Sequence, residues 1–400
     1  MAENTVHTGT TPAVTTSTTT LDPSTVATES TSRAESFVSA PSSTLGTQGS
    51  TPATTVSSSI AQEKDADRYQ VPTDGPLKTV VSRPLESAIP RKPTPLTAEQ
   101  QAKYDEVLSA VKQWTTIPDS TLKTAKTVPL EDHERMWLTR ECLLRYLRAT
   151  KWNTAQALKR LQSSLSWRRE YGADKFAADY ISPEAETGKQ VLVGYDVEGR
   201  PCWYMTPSRQ NTDISDRQIH QVSYMLDRAV ELMPPGQETI CLLISFKGSS
   251  RGGTVPSVSI GRQALNVLQN HNPERLGRAL LIDMPWFVSG FMKLISPFID
   301  PLTREKMVFD PKLREYVPGA HLINWYDGDL KFDYEHDKYW PSLTEETAKR
   351  RKAYLERWEA GGKSIGENEA YLRGGDVKPV RDETAQSTLV EGVSKLDVAA

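Results

Sequence analysis

The chain has 400 residues and carries 48 Lys and Arg against 51 Asp and Glu, a formal charge of −3. That balance excludes a large sequence-independent attraction to nucleic acid or anionic lipid, so no nucleic-acid partner is expected and membrane contact must come from local patches. Cys142, Cys202 and Cys241 lie far apart with no C-x-x-C pair, which argues against a disulfide framework or structural zinc and points to a reducing compartment.

The N-terminus pairs Glu3, Asp22 and Glu29 with Arg33 and has no apolar stretch, which predicts neither secretion nor mitochondrial import. Up to about Gln62 the chain is rich in Ser, Thr, Ala and Pro, too poor in large apolar residues to offset the entropy of ordering. Residues 1–95 are therefore expected to form a disordered tail, with a helical lobe over 96–180, a larger domain over 181–362 and a C-terminal tail over 363–400.

Thr97 and Gln100 can form a capping box that opens a helix running through Trp114. A second helix carries Leu143, Leu144 and Leu147 with Arg140, Arg145 and Arg148 around them, the period of a half-buried surface helix ending near Trp152. Asn153 and Gln156 then cap a third, with Leu158, Leu161 and Leu165 inward and Gly172 as its stop. Residues 190–195 and 202–205, joined by a turn over 196–199, predict a β-hairpin. A helix with Ile219, Val222, Leu226 and Val230 on one face leads to the apolar run 240–244, which suits a strand buried on both faces. Another helix (Ile260, Ala264, Val267, Leu268) precedes a strand over 279–282, so strands and helices alternate as in βαβ units. The fold class is α/β with a helical front. The apolar window 280–299 holds Asp283, Lys293, Pro285 and Pro297 and does not predict a spanning helix. Past Met307 come a short strand and loops, and a highly charged helix over 344–360.

No G-x-S-x-G, H-E-x-x-H or G-x-G-x-x-G motif is present, and the histidines are scattered singly, so no catalytic constellation emerges. Gly248-Ser-Ser-Arg-Gly-Gly253-Thr254 has phosphate-loop spacing without the lysine that would touch a nucleotide's terminal phosphates, and reads as a strand-to-helix loop. The acidic stretch 327–337 lacks EF-hand spacing and predicts no metal. Lys151, Glu274, Thr303 and Lys306 taken singly are ordinary surface groups. Trp286, Phe287, Phe291, Leu294, Ile295 and Phe298 form a segment apolar on most sides, which serves either as a core helix or as a lid against lipid.

Four stretches in order, Leu143-Leu-Arg-Tyr-Leu-Arg-Ala-Thr-Lys151-Trp, Trp167-Arg-Arg-Glu-Tyr-Gly172, Asn272-Pro-Glu-Arg-Leu-Gly277 and Pro297-Phe-Ile-Asp-Pro-Leu-Thr-Arg-Glu-Lys306, resemble the CRAL-TRIO lipid-transfer domain over roughly residues 97–360. Arg209-Gln-Asn-Thr212 and Met233-Pro-Pro-Gly-Gln237 add a likeness to the fungal phosphatidylinositol transfer proteins of the azole and multidrug-resistance branch. The resemblance implies a mixed sheet flooring an apolar lipid pocket, no cofactor and no covalent chemistry. It places the inositol-phosphate site on Lys151, Glu274, Thr303 and Lys306, the pocket wall on Leu192, Trp203, Ile240 and Leu242, and the gate helix on Trp286, Phe287, Phe291, Leu294, Ile295 and Phe298. Relatives that also carry phosphatidylcholine place hydroxyl residues where this chain has Leu192, Ile240 and Leu242 and a tyrosine where it has Trp203, so phosphatidylinositol, with an ergosterol-type sterol as second ligand, is the expected cargo. The same resemblance implies transient contact with membranes, a role in phospholipid and sterol homeostasis and azole tolerance, and a cytoplasmic protein peripheral to endoplasmic reticulum, lipid droplets or the cell periphery. Its rivals are a sensor that presents the lipid to a phosphatidylinositol kinase without net transfer, and a nucleotide-binding enzyme built on the Gly248 loop.

Overall fold

A computed structural model describes residues 75–250 and 257–382, all within one unit that spans Asp65–Ala400. Helix α1 (Ala98–Lys112) opens on the expected capping box: the Thr97 hydroxyl accepts from Gln100 N, and the Gln100 side chain accepts from Thr97 N. A short antiparallel ribbon, β1 (Thr116–Pro118) with β2 (Thr127–Pro129), and α2 (Asp132–Trp137) follow, neither foreseen from the sequence. Helices α3 (Arg140–Ala149) and α4 (Thr154–Tyr171) pack on α1 through Val107, Val111, Leu143, Leu147, Leu161 and Leu165, all buried. Asn153 caps α4 and Gly172 ends it in the left-handed region, at φ 72°, where the missing Cβ removes the usual penalty.

After α5 (Ala178–Ala185) comes the main sheet, in the order β3 (Gln190–Tyr195), β4 (Pro201–Met205), β5 (Ile240–Ser245), β6 (Leu276–Ile282), β7 (Met307–Phe309). The β3–β4 hairpin is antiparallel and the other pairs are parallel. The connections carry α6 (Asp216–Leu232), then α7 (Val258–Leu265) with a wider π turn over Asn266–His271, and finally α8 (Trp286–Ile295) with α9 (Pro301–Glu305). Helices α10 (His336–Ala360) and α11 (Glu369–Leu372) complete the described chain.

Register divides the sheet into two faces. Trp203, Leu242, Ala279 and Met307 are paired across four strands and share one face; Tyr204, Leu243, Leu280 and Val308 share the other. The second face is closed by the segment after β7: the Tyr204 hydroxyl donates to His321 O at 3.1 Å, and Tyr326 donates to Met205 O at 2.7 Å. At the outer edge, Tyr339 of α10 satisfies both backbone groups of Leu192, accepting from its N–H at 2.6 Å and donating to its C=O at 3.1 Å. A bulge between Leu192 and Tyr195 contains Gly194 at φ 71°, where a Cβ would collide with the carbonyl of His321.

Two stretches expected as tail are packed instead. Leu77, Val80 and Val81 are buried, and Leu77 exchanges backbone hydrogen bonds with Lys331 and Asp333. At the other end Ile365, Glu369 and Leu372 are buried, and Gly366 N donates to Leu138 O at 2.8 Å. Isolated apolar residues in a polar run carry no periodic signal; here backbone pairing with distant segments orders them. Arg145, expected on a half-exposed face, is buried between Glu369 at 2.7 Å and Glu238 at 2.9 Å. The sequence from 251 to 256, which holds most of the phosphate-loop-like motif, lies outside the described residues, as do the first 74 and the last 18.

Removing the edge hydroxyl by Tyr339→Phe leaves a buried donor and acceptor unpaired and should lower the free energy of unfolding by about 1–3 kcal/mol in urea titrations. A second prediction concerns His321, whose Nδ1 accepts from Tyr195 N at 3.1 Å. Burial pushes this imidazole down to about 4 from 6.5. The unfolded chain therefore binds the proton first as pH falls, so the stability present above pH 6.5 is lost progressively down to about pH 4. His321→Asn should make the fall of unfolding free energy across that window shallower, leaving the part due to His271, which burial likewise pushes down to about 4.

Candidate functional site

The face carrying Trp203, Leu242 and Ala279 meets α6 along β3 and β4, but it is not covered by helices over its whole extent. It floors a cavity of about 1170 Å³, above the 300–1,000 Å³ typical of small-molecule sites. Helix α6 forms one wall with Ile219, Val222 and Leu226, while Phe291, Met292 and Ile295 of α8 close another. Ile240, Ile244 and Leu281 extend the floor.

Lys151, Glu274, Thr303 and Lys306, though far apart in sequence, all line this one cavity. Each is held by a local device. Lys151 and Trp152 sit at φ 50° and 63° in the turn that ends α3, which Trp152 N closes by donating to Leu147 O at 2.7 Å. Glu274, at φ 61°, follows the π turn immediately before β6. Thr303 lies in the first turn of α9, where the Asp300 carboxylate caps its N–H at 2.8 Å and also accepts its hydroxyl proton. Lys306 ends α9, and its C=O accepts from Ala279 N at 2.9 Å, which fixes it to the sheet. The Lys306 ammonium lies 3.8 Å from the Glu274 carboxylate, and the two side chains are 26% and 22% exposed. A lysine, a carboxylate and a hydroxyl half out of water at the rim of an apolar cavity can bind a group that is both anionic and hydroxylated.

Three of the four wall residues line the cavity: Trp203, Ile240 and Leu242. Leu192 does not; it shares their face by pairing with Trp203, but on the edge strand β3 it lies outside the cavity lining. Of the six residues expected to form a gate, Phe291, Ile295 and Phe298 line the cavity. Trp286 and Leu294 point outward, 71% and 62% exposed, because they lie eight residues apart on the face opposite Val288, Phe291 and Ile295. Phe287 packs against the sheet core instead.

Sequence reasoning passed over Asp300, whose cap positions Thr303, and over two polar residues in the apolar wall. Gln190 Nε2 donates to Gln221 Oε1 at 3.2 Å, while Gln190 Oε1, Gln221 Nε2 and Trp203 Nε1 are buried without a hydrogen-bond partner. Gln221 beside Val222 on the inward side of α6 was the signal available, an interruption of an otherwise apolar stripe.

Two family profiles, described as the CRAL/TRIO domain and the CRAL/TRIO N-terminal domain, match residues 185–328 and 103–163. Phosphatidylinositol transfer protein PDR17 of Saccharomyces cerevisiae is 39% identical over 303 residues, covering 70% of this chain and 85% of that protein. The chain belongs to the CRAL/TRIO family. A CRAL-TRIO domain-containing protein of Schizosaccharomyces pombe is 51% identical over 281 residues, which cover 70% of this chain; the chain spans 28% of that relative's length. The SEC14 cytosolic factor of Candida glabrata is 27% identical over 214 residues, 48% of this chain and 71% of that protein. Both CRAL/TRIO segments carry site residues: the N-terminal match holds Lys151, and the larger one holds Glu274, Thr303, Lys306 and the whole of α8. Among the described residues no helix is long and apolar enough to cross a membrane.

Proposed function

We propose that the protein binds one phosphatidylinositol molecule and carries it between membranes, without covalent chemistry. The observation that supports this most directly is the convergence of Lys151, Glu274, Thr303 and Lys306 on the rim of a large apolar cavity. In this reading Lys151 and Lys306 neutralise the phosphodiester, Glu274 accepts hydrogen bonds from inositol hydroxyls, and Thr303 turns its hydroxyl from Asp300 to a phosphate oxygen. The acyl chains lie against Leu242, Leu226 and Phe291.

A diacyl lipid has on the order of thirty methylenes, each worth about 0.8 kcal/mol of burial, so escape through bulk water is opposed by roughly 25 kcal/mol. The cavity supplies an alternative apolar surrounding and removes most of that barrier. Helix α8 is the gate: its inner side meets the lipid, while Trp286 and Leu294 on its outer side, with Leu302 beyond it, form an exposed apolar strip suited to the membrane interface. Phosphatidylcholine is disfavoured, since Trp203, Ile240 and Leu242 offer no hydroxyl to a buried phosphocholine. A sterol as second cargo is favoured by the unpaired Trp203 Nε1 and Gln221 Nε2, two donors in an apolar wall that a lone hydroxyl could satisfy. Attachment to membranes is then peripheral and brief.

Lipids extracted from the purified protein and identified by native mass spectrometry test the assignment. Wild type should carry phosphatidylinositol, and Glu274→Ala/Lys306→Ala should lose it by at least about tenfold, each charge-assisted hydrogen bond being worth about 1.5–3 kcal/mol. Retention of phosphatidylinositol by the double variant would refute this headgroup site. Charging the gate with Phe291→Asp should suppress vesicle-to-vesicle transfer at least about tenfold; an unchanged rate would remove α8 from the mechanism.

A further inference from the structure

The gate has two ends, and they are held differently. At its start Asp283, at φ 54°, accepts a hydrogen bond from the Ser245 hydroxyl at 2.7 Å, so this hinge is anchored to the end of a sheet strand. At its finish side chains that belong to neither the gate nor the sheet hold the segment: Arg304 of α9 donates to Ser296 O at 2.7 Å, Arg262 of α7 lies 4.4 Å over the Phe298 ring, and Gln269 bonds the backbone on both sides of Ile299. Gln269 Nε2 donates to Phe298 O at 2.9 Å, and Gln269 Oε1 accepts from Asp300 N at 2.8 Å. One amide thus grips both sides of Ile299.

Gln269 sits in the π turn, Asn266–His271, and that turn is itself clamped to the helical lobe. Arg160 of α4 donates to the carbonyls of Gln269 and Asn270, and the Tyr146 hydroxyl of α3 donates to His271 O at 3.0 Å. Asn272 Nδ2 ties the far side back to Val267 O at 3.0 Å. Widened turns of this kind release the helix from its usual ladder, and here the carbonyls of Gln269, Asn270 and His271 have found partners on the lobe. Side chain and backbone of Gln269 therefore face opposite ways: the backbone belongs to the fixed lobe, the side chain to the moving gate.

We propose that Gln269 is a latch, a positioning residue that holds the C-terminal hinge of the gate shut and ties it to the headgroup site. The tie runs through Asp300, whose N–H is held by Gln269 and whose carboxylate caps Thr303. Opening the gate by moving Phe298 breaks the latch, and breaking the latch frees the residue that orients Thr303. The gate opens most easily when the headgroup is least firmly held, which is the order of events a lipid carrier requires at a membrane. Phe291 and Ile295 of the gate also rest on Gly261 of α7, but a packing contact of that kind reseats over a range of angles, whereas the paired amide bonds fix one.

This inference rests on the phosphatidylinositol reading, and its test separates the two. Wild type, Gln269→Leu and Gln269→Glu are loaded with fluorescent phosphatidylinositol and mixed with phosphatidylcholine vesicles containing a lipid quencher. Gln269→Leu, which removes donor and acceptor at nearly constant volume, should release lipid about tenfold faster, as expected for the loss of two hydrogen bonds. Gln269→Glu keeps the acceptor for Asp300 N and should fall between. Hydrogen exchange provides the readout that general destabilisation would not mimic: amides of the gate from 286 to 300 should exchange faster in Gln269→Leu while those of β4 to β6 stay as in wild type. Wild-type release rates and gate protection in both variants would overturn the latch and leave the transfer function standing. Failure of wild type to take up phosphatidylinositol would overturn the functional reading itself. If Gln269→Leu does not fold, the Gln269→Glu rate decides, and a value equal to wild type refutes the proposal.

Discussion

Keeping a cavity open over one face of a five-stranded sheet is the constraint on which the rest of the structure depends. In most α/β proteins helices close both faces of the sheet; here α6 meets it along β3 and β4, and a cavity of about 1170 Å³ opens beside that contact, lined by the Trp203 row and by α8. Cavities weaken the structures around them, by roughly 24 cal/mol per Å³ in a core that cannot relax. The remaining contacts must therefore keep the walls from collapsing inward. The opposite face shows how: its tyrosines are hydrogen-bonded as well as packed, with Tyr204 on His321 O and Tyr326 on both Met205 O and Ser245 N. Edge strand β3 is pinned by Tyr339, and α10 in turn lies along α5 and α6. The polar bonds give direction where apolar packing alone would allow the sheet to flatten or slide.

A near-neutral chain is also held by concentrated charge. Arg145, Arg275 and Arg373 converge on the Glu369 carboxylate at 2.7, 3.4 and 3.4 Å, and their combined field holds Glu369 well below the usual carboxylate range despite its burial. Glu238 takes the other arm of Arg145 and also binds Arg148. These residues come from α3, the β6 approach and α11, so the network joins the helical lobe to the sheet through the segment once read as tail. Buried pairs of this kind are weak sources of net stability but strong determinants of register, because removing one partner strands the others. They also fix Arg275, the neighbour of Glu274, and through it the carboxylate at the cavity rim.

What the sequence disclosed, and what it concealed, follows from the range of the interaction involved. Thr97 with Gln100, Asn153 with Gly172, and the apolar runs of β5 and β6 are local signals, and the elements formed where they pointed. Leu77, Arg145 and Glu369 owe their burial to partners tens or hundreds of residues away, and no window of periodicity registers that. Within the site, the rim residues could be placed by resemblance because each stands beside a backbone device, a positive φ or a cap, that ties it to a short motif. Which residues of the wall and of α8 reach the cavity is harder to read: a motif marks an element, whereas the face a residue occupies depends on its phase. The 3.6-residue phase of α8 separates Trp286 and Leu294 from Phe291 and Ile295, and Leu192, though paired with Trp203 in the same row, stands on the edge strand outside the cavity lining.

That phase gives α8 an unusual energetic position. A surface helix ordinarily buries one stripe and presents a polar one, but α8 is apolar on both sides, with Lys293 as its lone charge. In water the outer residues stay largely exposed, Trp286 meeting the Phe287 ring edge-on, and the helix is held mainly by the inner stripe and the polar contacts at its two hinges. At a lipid interface the outer stripe is buried as well, at about 25 cal/mol per Å² of apolar surface removed from water. Two large side chains such as Trp286 and Leu294 then contribute on the order of 3–5 kcal/mol, comparable with the few hydrogen bonds that hold the hinge. Under the gating proposed above, the closed state is favoured in solution and loses its advantage only at a membrane, without any change in the cavity itself. A helix polar on its outer side would stay shut at both places, and one without hinge contacts would open at both.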